Sequence, residues 1–413
     1  MSERAKNPLP ELLTGIRILD LSRILAGPTA TQLLGDLGAD VIKIERPGHG
    51  DDTRTWGPPY VKDSEHMDTS ESAYYLSANR NKRSVAIDFS QPKGKVLVKQ
   101  LLTSSDVLIH NFKVGGLEKY GLGYDDLKDD YPALVYCAIT GYGQTGPYAE
   151  RAGYDFLAQA AGGLMSVTGE EGGQPIKVGV AIADIVCGMY AATAILAALR
   201  YRDLTGKGQM IDLGLLDTQI AFLANQGINY LLSRTSPQRL GNAHPNVVPY
   251  QVFQASDGFF VLAIGNNRQF FKFCKFANAL ELSEDRRFRD NSDRVSNRDL
   301  LIKKINKLTC LRTVDEWVKG LAGQGVPVGP INNVEEALND EQVKHRKGVI
   351  DMPYPLAKSG KVELLANPIK FSSSPVSYRH APPRLGEHTK EILVEILGIK
   401  KEELERLASE KII

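Results

Sequence analysis

Asp184 stands just before the stretch Ile185–Leu199, which carries no charge, and directly after Gly179-Val-Ala-Ile-Ala. The apolar run predicts a buried helix with Asp184 at its mouth. Free backbone N–H groups and the positive end of the dipole gather at a helix N-terminus, and both favour an anion there. A carboxylate so placed is expected to be ionised at neutral pH and able to act as a nucleophile. An aspartate at a helix start also serves as a plain N-cap, so position alone leaves both roles open.

Three glycine-containing stretches supply further polar groups. They are Glu45–Tyr60, which includes Arg46 and Arg54; Asn111–Gly116, with Lys119 beyond it; and Thr140–Pro147. Arg46, Lys113 and Lys119 have the chemistry to meet phosphates, and Phe112 or Tyr142 to stack on a base or line an acyl pocket. The run Asn79-Arg-Asn-Lys-Arg-Ser84 is basic. It reads either as a solvated loop or as a phosphate grip. Gly265-Asn-Asn-Arg268 is either a turn or a loop that closes over a reacting carbonyl.

Other chemistries lack their residues. The seven histidines are scattered, with no HxxxH and no cysteine pair nearby, so no metal site is expected. Neither a GxSxG elbow nor a Walker A loop occurs. The turn after the first strand, Ser22–Pro28, lacks GxGxxG, which argues against a resident dinucleotide.

The elements that must position these groups alternate. Strands are predicted at Ile16–Leu21, Asp40–Glu45, Val85–Asp88, Asp106–His110, Ala133–Ile139 and Gln209–Gly214, with helices at Pro28–Leu37 and Lys93–Leu102 between them. Such alternation gives an α/β fold, a Rossmann-like parallel sheet with helices on both faces, whose ligands bind outside the carboxyl ends of the strands. A long helix is expected at about 216–232. Tyr250–Gln254 and Phe259–Ile264 flank Ala255-Ser-Asp-Gly258 as a hairpin, opening a smaller α+β domain. Strands near 349–352 and 362–370 and a helix at 390–397 return to the first domain. The expected division is 1–220 for the first part of a large α/β domain that carries the ligand site, 221–335 for a linker and the small domain, and 336–413 for the return segment.

The chain has 413 residues, 42% hydrophobic and 24% charged, with a net charge of +1. These values describe an ordinary globular protein with no overall field for nucleic acid or membrane. Fifteen uncharged residues after Asp184 fall short of the roughly 20 that span a bilayer, so that helix is read as core. Residues 1–11 show no secretory apolar region. Cys137, Cys187, Cys274 and Cys310 are widely spaced, as expected of reduced thiols in a reducing compartment. The expected location is cytoplasmic, or the mitochondrial matrix if a transit peptide has been removed.

Taken in order, several segments resemble the class III CoA transferases, the group that contains formyl-CoA transferase and the acyl-CoA racemases. The carrying residues are Gly15–Ser22 with Ala26-Gly-Pro28, Leu37–Gly48, Asn79–Ser84, Asn111-Phe112, Gly141-Tyr142, Gly179–Asp184 and Arg384-Leu-Gly-Glu-His-Thr389. The resemblance spans about residues 12–400. It is nearest to the branch of succinyl-CoA–glutarate CoA-transferases, through Gly50–Tyr60, Ile139–Pro147, His244–Gln251 and Pro327–Asn333.

The resemblance implies that Asp184 is the nucleophile and that Leu25, Ala26, Arg46, Asn111, Phe112, Lys119, Thr140 and Tyr142 lie along the CoA site. It implies an acyl-CoA and a small carboxylic acid as substrates, no permanently bound cofactor, and a homodimer whose chains interlock. Leu25 and Thr140 stand where formyl-CoA transferase has glutamine and lysine, which turns the expectation away from one-carbon acids. Tyr154 stands where a racemase has its acid/base histidine, and a phenol with an ordinary pKa of about 10 accepts protons poorly at neutral pH. The rivals are therefore a 2-methylacyl-CoA racemase and a catalytically silent CoA-binding protein. For a dicarboxylate, the second carboxylate needs a cation or several donors; Arg54, Gln144 and Asn266-Asn267 are the candidates.

Overall fold

Strands that are short, nearly continuous apolar runs line up side by side and send successive side chains to opposite faces. In a computed structural model that describes residues 11–413, six such strands form one parallel sheet: β1 (Arg17–Asp20), β2 (Asp40–Glu45), β3 (Lys82–Ala86), β4 (Val107–His110), β5 (Val135–Thr140) and β6 (Met210–Gly214). Their order is β3-β2-β1-β4-β5-β6. This is the doubly wound order, with its switch point between β1 and β4, where a crevice opens beyond the carboxyl ends of the strands. The segment 1–10, read above for targeting, lies outside the described residues.

Alternation supplies a core on each face. Leu19, Ile42, Leu108 and Tyr136 pack with the helices Pro92–Leu102, Thr389–Leu397 and Lys401–Ser409. Ile18, Val41, Val107, Val135 and Cys137 pack on the other face against α1 (Ala26–Asp36) and α2 (Ile182–Thr205). The apolar helix is longer than its uncharged stretch: it begins three residues before Ile185 and ends at Thr205, 24 residues in all. That length could cross a bilayer, but 56% of its apolar window is buried within the protein. Ala191, Ile195 and Ala198 are covered, as a core helix requires.

The chain divides into two compact units. One takes the chain up to Leu164, Val178–Gly227 and Gln342–Ile413; the other takes Met165–Lys177 and Ile228–Glu341. The second unit is built on a three-stranded antiparallel sheet in the order Val328–Pro330, Phe259–Ala263, Tyr250–Gln254. Its core is aromatic. Trp317 stacks on Phe260 at 5.8 Å and donates from Nε1 to the Thr309 carbonyl.

Two expectations fail locally. The long helix at 216–232 is broken into Leu215–Ala221 and Ala224–Ser233, with Ala224 at φ 47°. The basic run Asn79–Ser84 is neither solvated nor a phosphate grip. All six residues are buried: Arg80 pairs with Asp36, Lys82 with Asp20, and Arg83 with Asp40. Unpaired buried charge is costly, so these cations are held by the acids that α1, β1 and β2 present.

α1 and α2 approach closely at Gly188, where an added Cβ would lie 2.6 Å from the Ala26 carbonyl oxygen and 2.9 Å from Thr29 Cβ. Gly188→Ala should therefore push the helices apart at a cost of about 1–3 kcal/mol, read as a lowered melting temperature. An unchanged melting temperature would show that the contact does not constrain the helices.

Candidate active site

Two cavities open at the switch point. The smaller, about 180 Å³, is lined by the turn after β1 (Arg23–Ala26), the segment after β4 (Asn111–Lys113), Thr140 and Gly141 after β5, Arg151 to Tyr154, and Asp184. The larger, about 480 Å³, lies over the ends of β2 and β3 and includes Arg46, His49, Phe89 and Tyr120. Both are lined by Arg23, Asp52 and Phe112.

The turn after β1 is held from several sides. Lys43, fully buried on β2, donates to the Ser22 carbonyl at 2.8 Å and pairs with Asp51 at 2.9 Å. Asp51 accepts from Ile24 N at 3.2 Å and Thr53 N at 3.0 Å. Burial pushes the Asp51 carboxyl up, but Lys43 and the Thr53 N–H outweigh it and bring the group to about 2. Asp20 stays ionised for the same reason, with Lys82 and Lys43 overcoming its burial. Asn111 clasps the backbone of Arg23 with both ends of its amide, accepting from Arg23 N at 2.8 Å and donating to Arg23 O at 2.6 Å. These bonds hold Ile24 at φ 69°, a region that a β-branched residue occupies only under strain.

Asp184 is the third residue of α2, 8% exposed, on the wall of the smaller cavity. The sequence argument expected free helix N–H groups to hold it ionised. The structure gives one of those groups to another acid: Ala183 N donates to Asp155 Oδ1 at 2.8 Å. Burial first, and the neighbouring Asp155 second, push the Asp184 carboxyl up to about 7. Asp155 is brought there by a close backbone approach. A Cβ on Gly141 would sit 2.5 Å from Gly153 Cα, so only glycines let the segment 151–155 press against the end of β5.

The other expected contacts separate. Leu25, Ala26, Asn111, Phe112 and Thr140 line the smaller cavity, and Arg46 and Phe112 the larger. Lys119 lies over the ring of Tyr120 at 4.6 Å, and Tyr142 pairs edge-on with Tyr148; neither lines these two cavities. Thr140 Oγ1 accepts from Gly143 N at 2.9 Å and shapes the glycine turn.

Arg54 is not available to a substrate. It is buried among Glu45, Glu71, the Tyr75 hydroxyl and the Pro383 carbonyl. Asn266 caps the helix Asn267–Phe276, and Asn267 is spent on Asp290 and Arg294. Gln144 donates its backbone N–H to Asp212, while its side-chain Nε2 is buried without a partner among the described residues.

Sequence reasoning missed Asp155, Tyr74 and Arg23. The Tyr74 phenol is raised by burial and then by Asp184 and Asp155, which places it near both acids. Arg23 pairs with Asp52 at 2.8 Å and lies 5.5 Å over the Phe112 ring. The signal for Asp155 is its place directly after Tyr154 in Arg151-Ala-Gly-Tyr-Asp155. Among the described residues, no group of His, Cys, Asp and Glu is arranged to hold a metal ion.

The profile of CoA-transferase family III matches residues 13–389. The succinyl-CoA:glutarate CoA-transferase of Homo sapiens is 46% identical over 93% of this chain and 86% of its own. The succinate–glutarate CoA-transferase of Agrobacterium fabrum is 46% identical over 94% of this chain and 96% of its own. Among solved structures, a CaiB/BaiF family protein from Brucella suis is 48% identical over 94% of this chain and 100% of its own, with a TM-score of 0.82. A match along nearly the whole chain, on a doubly wound sheet with its cavities at the switch point, shows that this chain belongs to CoA-transferase family III and is an enzyme that transfers CoA.

Proposed function

We propose that the enzyme moves CoA from succinyl-CoA to glutarate, or a close C4–C6 diacid, with Asp184 as the covalent nucleophile. The observation that carries the mechanism is a single buried carboxylate on the wall of the smaller cavity, beside a larger one rimmed by Arg46. The relatives named for succinyl-CoA and glutarate carry the substrates. CoA would lie along the larger cavity, its thioester reaching Asp184 past Arg23, Asp52 and Phe112.

An Asp184 oxygen attacks the thioester carbonyl. The C–S bond breaks, CoA leaves as thiolate, and an anhydride remains. The thiolate then attacks the aspartyl carbonyl, the donor acid leaves as carboxylate, and an aspartyl–CoA thioester is left. The acceptor carboxylate reverses both steps. Two easier steps conserve the thioester without ATP.

A diacid leaves one carboxylate to be held. Lys113 and Arg151 line the smaller cavity with no ion-pair partner among the described residues; Arg151 stacks on the Tyr148 ring at 3.7 Å. They are the cations free to meet it. A site that binds the distal charge rejects acids that lack it. In an acceptor panel with succinyl-CoA, read by mass spectrometry of the thioesters formed, glutarate should outrun valerate, formate and oxalate. Faster transfer to valerate would refute the diacid reading.

Asp184→Ala should abolish transfer while CoA still binds, and hydroxylamine added after acyl-CoA should convert Asp184 alone to the hydroxamate. Substantial transfer by the variant would refute the mechanism.

The large unit also exposes Phe156, Leu157, Met189, Tyr190 and Leu196 near the start and middle of α2. A second copy of the chain is the occupant we propose, as a homodimer; sedimentation at monomer mass would overturn it. The four unpaired thiols fit work in the cytoplasm or another reducing compartment.

A further inference from the structure

Asp155 lies outside the catalytic step described above, yet its placement is specific. It opens the helix Asp155–Ala161. Its Oδ1 accepts from Ala183 N, in the first turn of α2, and its Oδ2 accepts from Gln159 Nε2, each at 2.8 Å. Gln159 is fully buried and turns its own Oε1 to Val178 N at 2.9 Å. Both Asp155 oxygens thus act only as acceptors, as an ionised carboxylate does. The acid is locked beside Asp184 by a buried relay that also ties down the segment leading into α2.

We infer that Asp155 is a positioning residue whose fixed negative charge drives Asp184 toward its covalent states. The inference rests on Asp184 being the nucleophile. Once ionised for attack, free Asp184 carries a charge beside Asp155. The aspartyl–CoA thioester carries none, because the charge has left with the donor acid. Repulsion therefore raises the free carboxylate relative to the captured enzyme, and capture relieves it. The same repulsion makes Asp184 more basic and so a stronger attacking group once ionised.

The surroundings leave this repulsion uncompensated. Burial and Asp155 both push Asp184 upward, and no cation of the cavity wall offsets them. Arg23 is already paired with Asp52. Lys113 and Arg151 line the cavity but exert no resolved pull on Asp184. From the helix Ala73–Ser77, Tyr74 faces both acids with its phenol raised and therefore neutral. One turn along α2, burial and Asp184 hold the Cys187 thiol neutral, at about 12.

The test compares the whole enzyme with Asp155→Asn, Asp155→Ser and Asp155→Glu. For the unaltered enzyme, kcat/KM for acyl-CoA should rise with pH through an apparent pKa of about 7, since attack requires the carboxylate. Asn and Ser remove the charge and keep an acceptor for Ala183 N. Both should move that limb to lower pH. At pH above the limb they should also lower the ratio of CoA thioester to free enzyme, read by mass spectrometry after acid quench, roughly tenfold for each pH unit moved. Glu keeps the charge and should keep the limb near its original position. An unmoved limb and unchanged adduct in Asn and Ser would overturn the inference while leaving Asp184 as nucleophile. Loss of adduct that tracks a collapsed melting temperature would overturn it too, by reducing Asp155 to a folding contact. Transfer that survives Asp184→Ala would instead refute the mechanism beneath it.

Discussion

The fully buried ion pair between Lys43 and Asp51 is the constraint on which the site's shape depends. Two charges taken out of water are tolerated only when their remaining donors and acceptors are met, and removing one partner costs about 3–5 kcal/mol. Here those remaining bonds go to the backbone of the cavity wall: Lys43 to the Ser22 carbonyl, Asp51 to the N–H groups of Ile24 and Thr53. The need to satisfy the pair thus dictates the path of the turn after β1. Ile24 keeps its left-handed conformation because the pair beneath it and Asn111 beside it leave it no other. The strain sits where one strand end must present several backbone groups to one small cavity.

Much of this was legible in the sequence, because the sheet is written in local pattern. Strands such as Val107–His110 are short apolar runs between turn residues, and β2 was expected with the bounds it has. Asp184 stood out because an acid before fifteen uncharged residues is unusual in composition alone. What stayed hidden was whatever depends on distant partners. Asn79–Ser84 looks like a solvated basic loop because nothing nearby in sequence neutralises it; its partners Asp20, Asp36 and Asp40 lie more than forty residues away. Arg54 has the chemistry to hold a substrate carboxylate, but is spent on Glu45 and Glu71, nine and seventeen residues away, a pairing that the turn between them and not their spacing brings about.

The most instructive reversal is at Asp184. Helix-terminus reasoning sets a local favourable field against nothing, and so expects a low pKa. In the folded chain the first turn of α2 is already served by Asp155, and the carboxylate of Asp184 is left desolvated and facing a like charge. Burial and repulsion then act in the same direction and win. A helix N-terminus stabilises an anion only while its N–H groups are unclaimed, and a second acid can claim them from another element.

These charges sort by burial. The cations on the sheet and in the turns beside it, Lys43, Lys82, Arg83, Arg54 and Arg80, are covered, and each has an acid within ion-pair distance. The cations of the cavities that lack such an acid among the described residues, Arg46, Lys113 and Arg151, are exposed. An exposed cation in water costs little to leave unpaired, whereas a buried one must be matched when the chain folds. Folding has therefore consumed the first set and leaves the second able to meet ligands that bring their own negative charge, as the CoA phosphates and substrate carboxylates of the proposed reaction do. Asp184 is the counterpart among the acids, buried yet given no cation, so that its charge is removed only by a proton or, in the mechanism proposed, by a covalent bond to carbon.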